Sequence, residues 1–79
     1  MVTLIFLGKL ADLAGEDTRE VAAPLDWDGL LALCDTPLAD EISGERVKIA
    51  LDGDVLADKT TLAALAGSEV ALLPPVSGG

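Results

Sequence analysis

The residues best suited to chemistry in this chain are its last two, Gly78 and Gly79. Glycine has no β-carbon, so a terminal pair can thread a narrow channel in backbone conformations closed to other residues. A carboxylate resists nucleophiles until it is activated, for example as an acyl-adenylate. A sulfur nucleophile that then displaces AMP leaves a thiocarboxylate, whose polarizable sulfur is itself a good nucleophile. The pair follows a diproline, Pro74-Pro75, and a short spacer, Val76-Ser77. Extended, residues 74–79 span about 20 Å, enough to enter a partner's active site while the folded body docks outside. The competing reading is an inert, frayed terminus. With glycine at ~7% of residues, a chance Gly-Gly end is expected about once in two hundred chains, which favours a working tail.

Other candidates are weaker. Cys34 is the single cysteine, so an internal disulfide is excluded. The chain has no histidine, which removes a His-based triad, a His zinc site and a His general base. Trp27, Leu30, Leu31 and Cys34 recur at helical spacing, which puts the thiol on an apolar face in a structural role. Ser43, Ser68 and Ser77 have no visible base partner. Asp52, Asp54 and Asp58 suggest calcium ligands at first sight, but the central glycine and closing glutamate of an EF-hand loop are missing. A solvated hairpin fits them better, and no metal site is expected.

The formal charge is −9, with fourteen acids against Lys9, Arg19, Arg46, Lys48 and Lys59. Five scattered cations make no basic patch, which argues against binding nucleic acid or an anionic membrane. Phe6 and Trp27, the only aromatics, make no stacking platform for bases. The acidity also serves solubility. A phosphorylated substrate or ATP would have to be held by a basic partner, so no cofactor is expected on this chain. The apolar run Met1 to Leu7 lacks a basic flank and is too short for a signal sequence. No stretch approaches the ~20 apolar residues that span a bilayer. A cytoplasmic protein is expected.

The elements that must carry the tail are those of one small domain, 79 residues long. Chains this short bury only ~60% of their unfolded surface, leaving little room for a cavity beside the core. Val2 to Leu7 predicts a strand apolar on both faces, as if covered on both sides. A helical turn through Leu10, Leu13 and Ala14 follows, closed by Gly15, and then a strand over Thr18 to Ala22. Asp26 is the expected N-cap of the main helix. Thr36 with Pro37 reads as a second helix start, with Leu38 and Ile42 on one face. Val47 to Leu51 predicts a strand, Asp52-Gly53 a tight hairpin, and Val55-Leu56 the return. Leu62 and Leu65 are expected to anchor a turn closed by Gly67. Glu69 to Leu73 is the last strand, stopped by the diproline. This order predicts an α+β fold of β-grasp type over residues 1–75. A mixed sheet, with its first and last strands parallel at the centre, carries one main helix, and 76–79 form a flexible tail.

The closing run Glu69-Val70-Ala71-Leu72-Leu73-Pro74-Pro75-Val76-Ser77-Gly78-Gly79 resembles the MoaD-like branch of the MoaD/ThiS sulfur carriers, the small subunits of molybdopterin synthase. The opening run Val2 to Gly15 is similar to their first strand and turn, and Val47 to Leu56 fits more loosely. The resemblance implies a ubiquitin-like β-grasp whose Gly79 is adenylated by an E1-like enzyme that uses ATP and is then converted to a thiocarboxylate. It further implies a large synthase subunit that takes up the tail (Pro74, Pro75, Val76, Ser77 and Gly78 leading to Gly79), so that sulfur passes to a cyclic pyranopterin precursor. By position, Leu7, Val55 and Leu73 would form the apolar docking patch. Family members often carry aromatics where Leu7 and Leu73 stand. A sulfur carrier for thiazole synthesis, a ubiquitin-like protein modifier and a non-catalytic binding module remain as alternatives.

Overall fold

Val2, Leu4 and Phe6 alternate into the core from strand β1 (Val2–Phe6) in a computed structural model that describes residues 1–75. The chain continues through helix α1 (Lys9–Ala14), β2 (Thr18–Val21), β3 (Leu25–Asp26), α2 (Trp27–Ala32), α3 (Thr36–Ser43), β4 (Lys48–Leu51), β5 (Asp54–Val55), a 3-10 turn (Lys59–Thr61), β6 (Ala63–Ala64) and β7 (Glu69–Leu73). Five strands form one mixed sheet in the order β2-β1-β7-β4-β5. The first and last strands are its parallel centre, with Thr3 beside Glu69 and Phe6 beside Leu72. This is the β-grasp arrangement that the strand order predicts.

Helices cover one face of the sheet. Leu10 of α1, Leu30 of α2, and Leu38 and Ile42 of α3 are buried in one cluster with Val2, Leu4, Phe6, Ile49, Val70 and Leu72. Ile5, Ala71 and Leu73, on the opposite pleat, belong to no part of that cluster. The expectation that β1 is covered on both sides is therefore corrected. Its second apolar face is left open, because the helices are all spent on the first.

Both expected helices are present, and the one started at Asp26 is the shorter, six residues against eight in α3. Asp26 caps α2 as expected, its Oδ1 accepting from Gly29 N at 2.8 Å. Leu30 is fully buried, while Trp27, Leu31 and Cys34 are half-buried against the core. The cap of α3 is Asp35, not Thr36: Asp35 Oδ1 accepts from Leu38 N at 3.2 Å. That shifts Pro37 to the second helical position, where its missing N–H still costs no intrahelical bond.

The two-residue ladder β3–β6, pairing Leu25 with Ala64, is an addition that the sequence pattern does not reveal. Two residues are too few to show alternation. It buries Ala64 and turns Leu65 outward to 67% exposure, so Leu62 anchors this segment without Leu65. The Asp52-Gly53 hairpin has positive φ at both positions, 50° and 89°, as a type I′ turn requires. Its return strand begins at Asp54, one residue earlier than the pattern suggests, and ends at Val55.

Candidate functional site

The open face of the sheet can be read from its register. Residues opposite one another in neighbouring strands share a face. Val55 pairs with Ala50, Ala50 with Ala71, Ala71 with Ile5, and Ile5 with Thr18. One row therefore crosses all five strands, and four of its members are apolar. Val55 is 60% exposed, Ile5 and Ala71 are half-buried, and Ala50 is enclosed by its neighbours.

The next row toward the exit of β7 contains Leu73, paired with Lys48. Leu7 follows Phe6, which lies beside Leu72, so Leu7 leaves β1 alongside Leu73. Leu7 is 41% exposed and Leu73 half-buried. Leu7 and Leu73 thus lie together at the end of the sheet where the chain departs. Val55 stands apart from them, two strands from β7, connected through Ala50 and Ala71. Ile5, Ala50 and Ala71 complete the surface and were not singled out from sequence. Their signal is the second apolar pleat of the strands, which reads as core until the helices are counted.

The opposite end of the same face is acidic. Glu20 pairs with Thr3, and Thr3 with Glu69. Asp52 Oδ1 accepts from Glu69 N at 2.9 Å, tying the β4–β5 hairpin to the start of β7. Asp58 also has a structural partner, accepting from the Thr60 hydroxyl at 2.6 Å and from Thr60 N at 3.0 Å. These aspartates build turns, and among the described residues no acidic, His or Cys cluster could hold a metal ion.

Leu73 is the last residue of β7, and Pro74 and Pro75 beyond it are half-buried. Neither proline has an N–H to continue the ladder. Val76, Ser77, Gly78 and Gly79 lie outside the described residues. Cys34 follows α2 and is no member of the open row. Its thiol donates to Leu30 O at 3.2 Å. Burial pushes the thiol pKa up, against a smaller opposing pull from Arg19. A protonated, half-buried thiol is a poor nucleophile. Among the described residues no helix is long and apolar enough to cross a membrane.

The arrangement is an uncovered apolar sheet face beside the point where the chain leaves the fold, and comparisons with known proteins bear on what it serves. A family model described as the ThiS family matches residues 4–79. No curated protein matches. Among solved structures the chain is similar to SAMP1 from Haloferax volcanii, with 27% identity and a TM-score of 0.68 over 99% of this chain and 98% of that one. It is equally similar to a chain in a complex of subunits 1 and 2 of the molybdopterin-converting factor from Helicobacter pylori 26695. There the identity is 26% and the TM-score 0.68, over 99% of this chain and 97% of that one. The small archaeal modifier protein 1 of Methanosarcina acetivorans, at 20% identity and a TM-score of 0.74 over 99% and 95% of the two chains, shares the fold.

Proposed function

The chain belongs to the ThiS family, and from that premise we propose that it is a sulfur carrier acting as the small subunit of a molybdopterin synthase. The observation that carries this reading is the apolar open face, with Leu7 and Leu73 beside the exit at Pro74. A partner docked on that face receives the chain end directly. The structural likeness to a subunit of the molybdopterin-converting factor complex supports a large-subunit partner.

In this reading a Gly79 carboxylate oxygen attacks the α-phosphorus of ATP in an E1-like partner, and pyrophosphate leaves. A sulfur nucleophile then attacks the acyl carbon and AMP leaves. With sulfide as that nucleophile the proton passes to solvent and Gly79 carries a thiocarboxylate for the large subunit. With a persulfide donor, a further thiol must reduce the S–S bond of the acyl disulfide to release it. This chain supplies the acyl group and the docking face, while ATP and the pterin precursor are held by the partners. The acidic row at Glu20 and Glu69 suits a partner with a basic rim, which speeds encounter and fixes orientation. The work is cytoplasmic.

Intact-mass spectrometry of the natively expressed chain tests the proposal. One oxygen replaced by one sulfur at Gly79, together with co-purification of a synthase-like large subunit, is the expected result. The likeness to SAMP1 favours a second reading, a ubiquitin-like modifier. Lysine-linked adducts through Gly79 with no thiocarboxylate would establish that reading in place of the first. A thiocarboxylate on a chain that binds a thiazole-forming enzyme would instead move it to that pathway.

A further inference from the structure

Four of the described glycines have positive φ: Gly8, Gly15, Gly53 and Gly67. A β-carbon added at Gly15, Gly53 or Gly67 would meet nothing within 4 Å. At Gly8 it would lie 3.2 Å from Pro74 Cγ and 3.9 Å from Pro74 Cβ. The other three glycines answer to backbone conformation alone, while Gly8 also answers to a close approach. What approaches is the first residue after β7, at the point where the chain leaves the sheet.

The bed beneath Pro74 is firmly held. The β1–β7 ladder ends at the Phe6–Leu72 pair, and Gly8 still lies against Pro74 two residues further on. Gly8 turns the chain into α1, with Leu10 N donating to Leu7 O at 3.0 Å and Ala11 N to Gly8 O at 3.1 Å. Leu10 is fully buried, and Lys9 Nζ is 2.7 Å from Glu41 Oε2 of α3. The turn carrying Gly8 is thus tied to two helices. Pro74 has a fixed φ and a stiff ring, so the ring against Gly8 restricts the direction in which the chain departs.

We propose that Gly8 is a positioning residue for the reaction at Gly79: its bare face seats the Pro74 ring and thereby aims the chain end into the partner's active site. The inference rests on the carrier reading. Docking belongs to the open sheet face, whereas aim belongs to this contact. Loss of aim therefore lowers the turnover of the docked complex and spares its formation.

The test is adenylation of the tail by the E1-like partner, followed by pyrophosphate release, with kcat and KM measured for each carrier. Gly8→Ala is compared with Gly15→Ala, which has no close neighbour. Gly15 carries the milder strain of a left-handed position, φ 78° and ψ 11° against φ 54° and ψ −131° at Gly8, so the Pro74 variants separate contact from strain. Gly8→Ala is expected to lower kcat about tenfold, as misplaced reacting groups do, and to leave KM within about twofold. Gly15→Ala should keep both constants. Pro74→Ala removes the ring and should lower kcat similarly, and adding Gly8→Ala to it should cost no more, because the two act through one contact. A folded Gly8→Ala carrier with the kcat of Gly15→Ala overturns the inference. If Gly8→Ala does not fold, Pro74→Ala decides, and parental kcat there overturns it. A parent chain that is never adenylated overturns the carrier reading, and this inference with it. An active parent with unimpaired variants overturns the inference alone.

Discussion

Leu73 stands opposite Lys48 across the β4–β7 ladder, one row beyond the Ile49–Leu72 pair that closes the core. Neighbouring leucines thus serve opposite faces. Leu72 is sealed beneath the helices, and Leu73 faces outward beside a cation. A hydrophobic strand end with a polar cross-strand neighbour is poorly suited to a core and well suited to a partner.

The two leucines therefore respond differently to the same change. Leu72→Asp buries an unpaired charge, costs ~4 kcal/mol or more, and should leave the chain unfolded. Leu73→Asp gains Lys48 as an opposite charge, should lose no more than ~1 kcal/mol, and should stay folded. It should bind the large subunit at least about tenfold more weakly. Thermal melting and binding measured on the same samples check both statements. A folded Leu73→Asp variant that binds like the parent removes Leu73 from the interface.

Much of this was legible before the fold was known. The Asp26 cap, the Asp52-Gly53 turn and the diproline stop follow from local chemistry, and the parallel pairing of β1 with β7 follows from these being the most apolar strands. What escaped depends on long-range placement. Ile5 reads as core because periodicity reports that a face is apolar and not what covers it. Lys59 reads as a surface cation. In the fold its Nζ donates to Gly44 O and Val47 O, the latter at 2.9 Å, and lies 5.8 Å from the Trp27 ring centroid. It joins residues 12 and 15 positions away in sequence, so no local pattern could announce it. The role of Gly8 is hidden likewise, since Pro74 reaches it only after the whole sheet has closed.

Cys34 is expected to be inert at neutral pH. Burial raises its pKa above the ordinary 9.0. The fold therefore favours the protonated thiol, and that contribution is present below pH 9.0 and is lost as pH rises through the folded value. Alkylation by iodoacetamide at pH 7 should be slower than for the unfolded chain. Cys34→Ala should retain sulfur transfer and lose ~1 kcal/mol of stability. Lost transfer with unchanged melting would make the thiol a sulfur-handling group.

Asp58 sets part of the acid limit. The Thr60 hydroxyl first, and Thr60 N second, hold its carboxyl below the ordinary 3.8. A depressed carboxyl stabilises the fold above its unfolded pKa, and the contribution is lost as pH falls through the folded value. Asp58→Asn should therefore melt below the parent at neutral pH, and the gap should close as pH falls below 3.8. A gap independent of pH between neutrality and pH 2 would assign the effect to turn geometry and not to charge.

The chain end should separate from the fold in every assay. β7 finishes at Leu73, and among the described residues none beyond it belongs to the core cluster. Deleting Gly79, or replacing Gly78 with Trp, should leave the melting temperature at the parental value. Both variants should still compete with the parent for the large subunit through the open face, losing only the share of affinity that the tail contributes. Yet neither should be productively sulfurated. The deletion presents Gly78 one residue short of the activating centre, about 3.5 Å by chain geometry. The indole at position 78 obstructs a channel that only residues without a β-carbon can thread. Circular dichroism, competition binding and intact-mass analysis after incubation with the activating partner and ATP separate the three properties. A Gly79 deletion that still gains sulfur and supports synthesis would place the working carboxylate elsewhere. A variant that fails to compete at all would show that the tail, and not the row from Ile5 to Val55, holds the complex together.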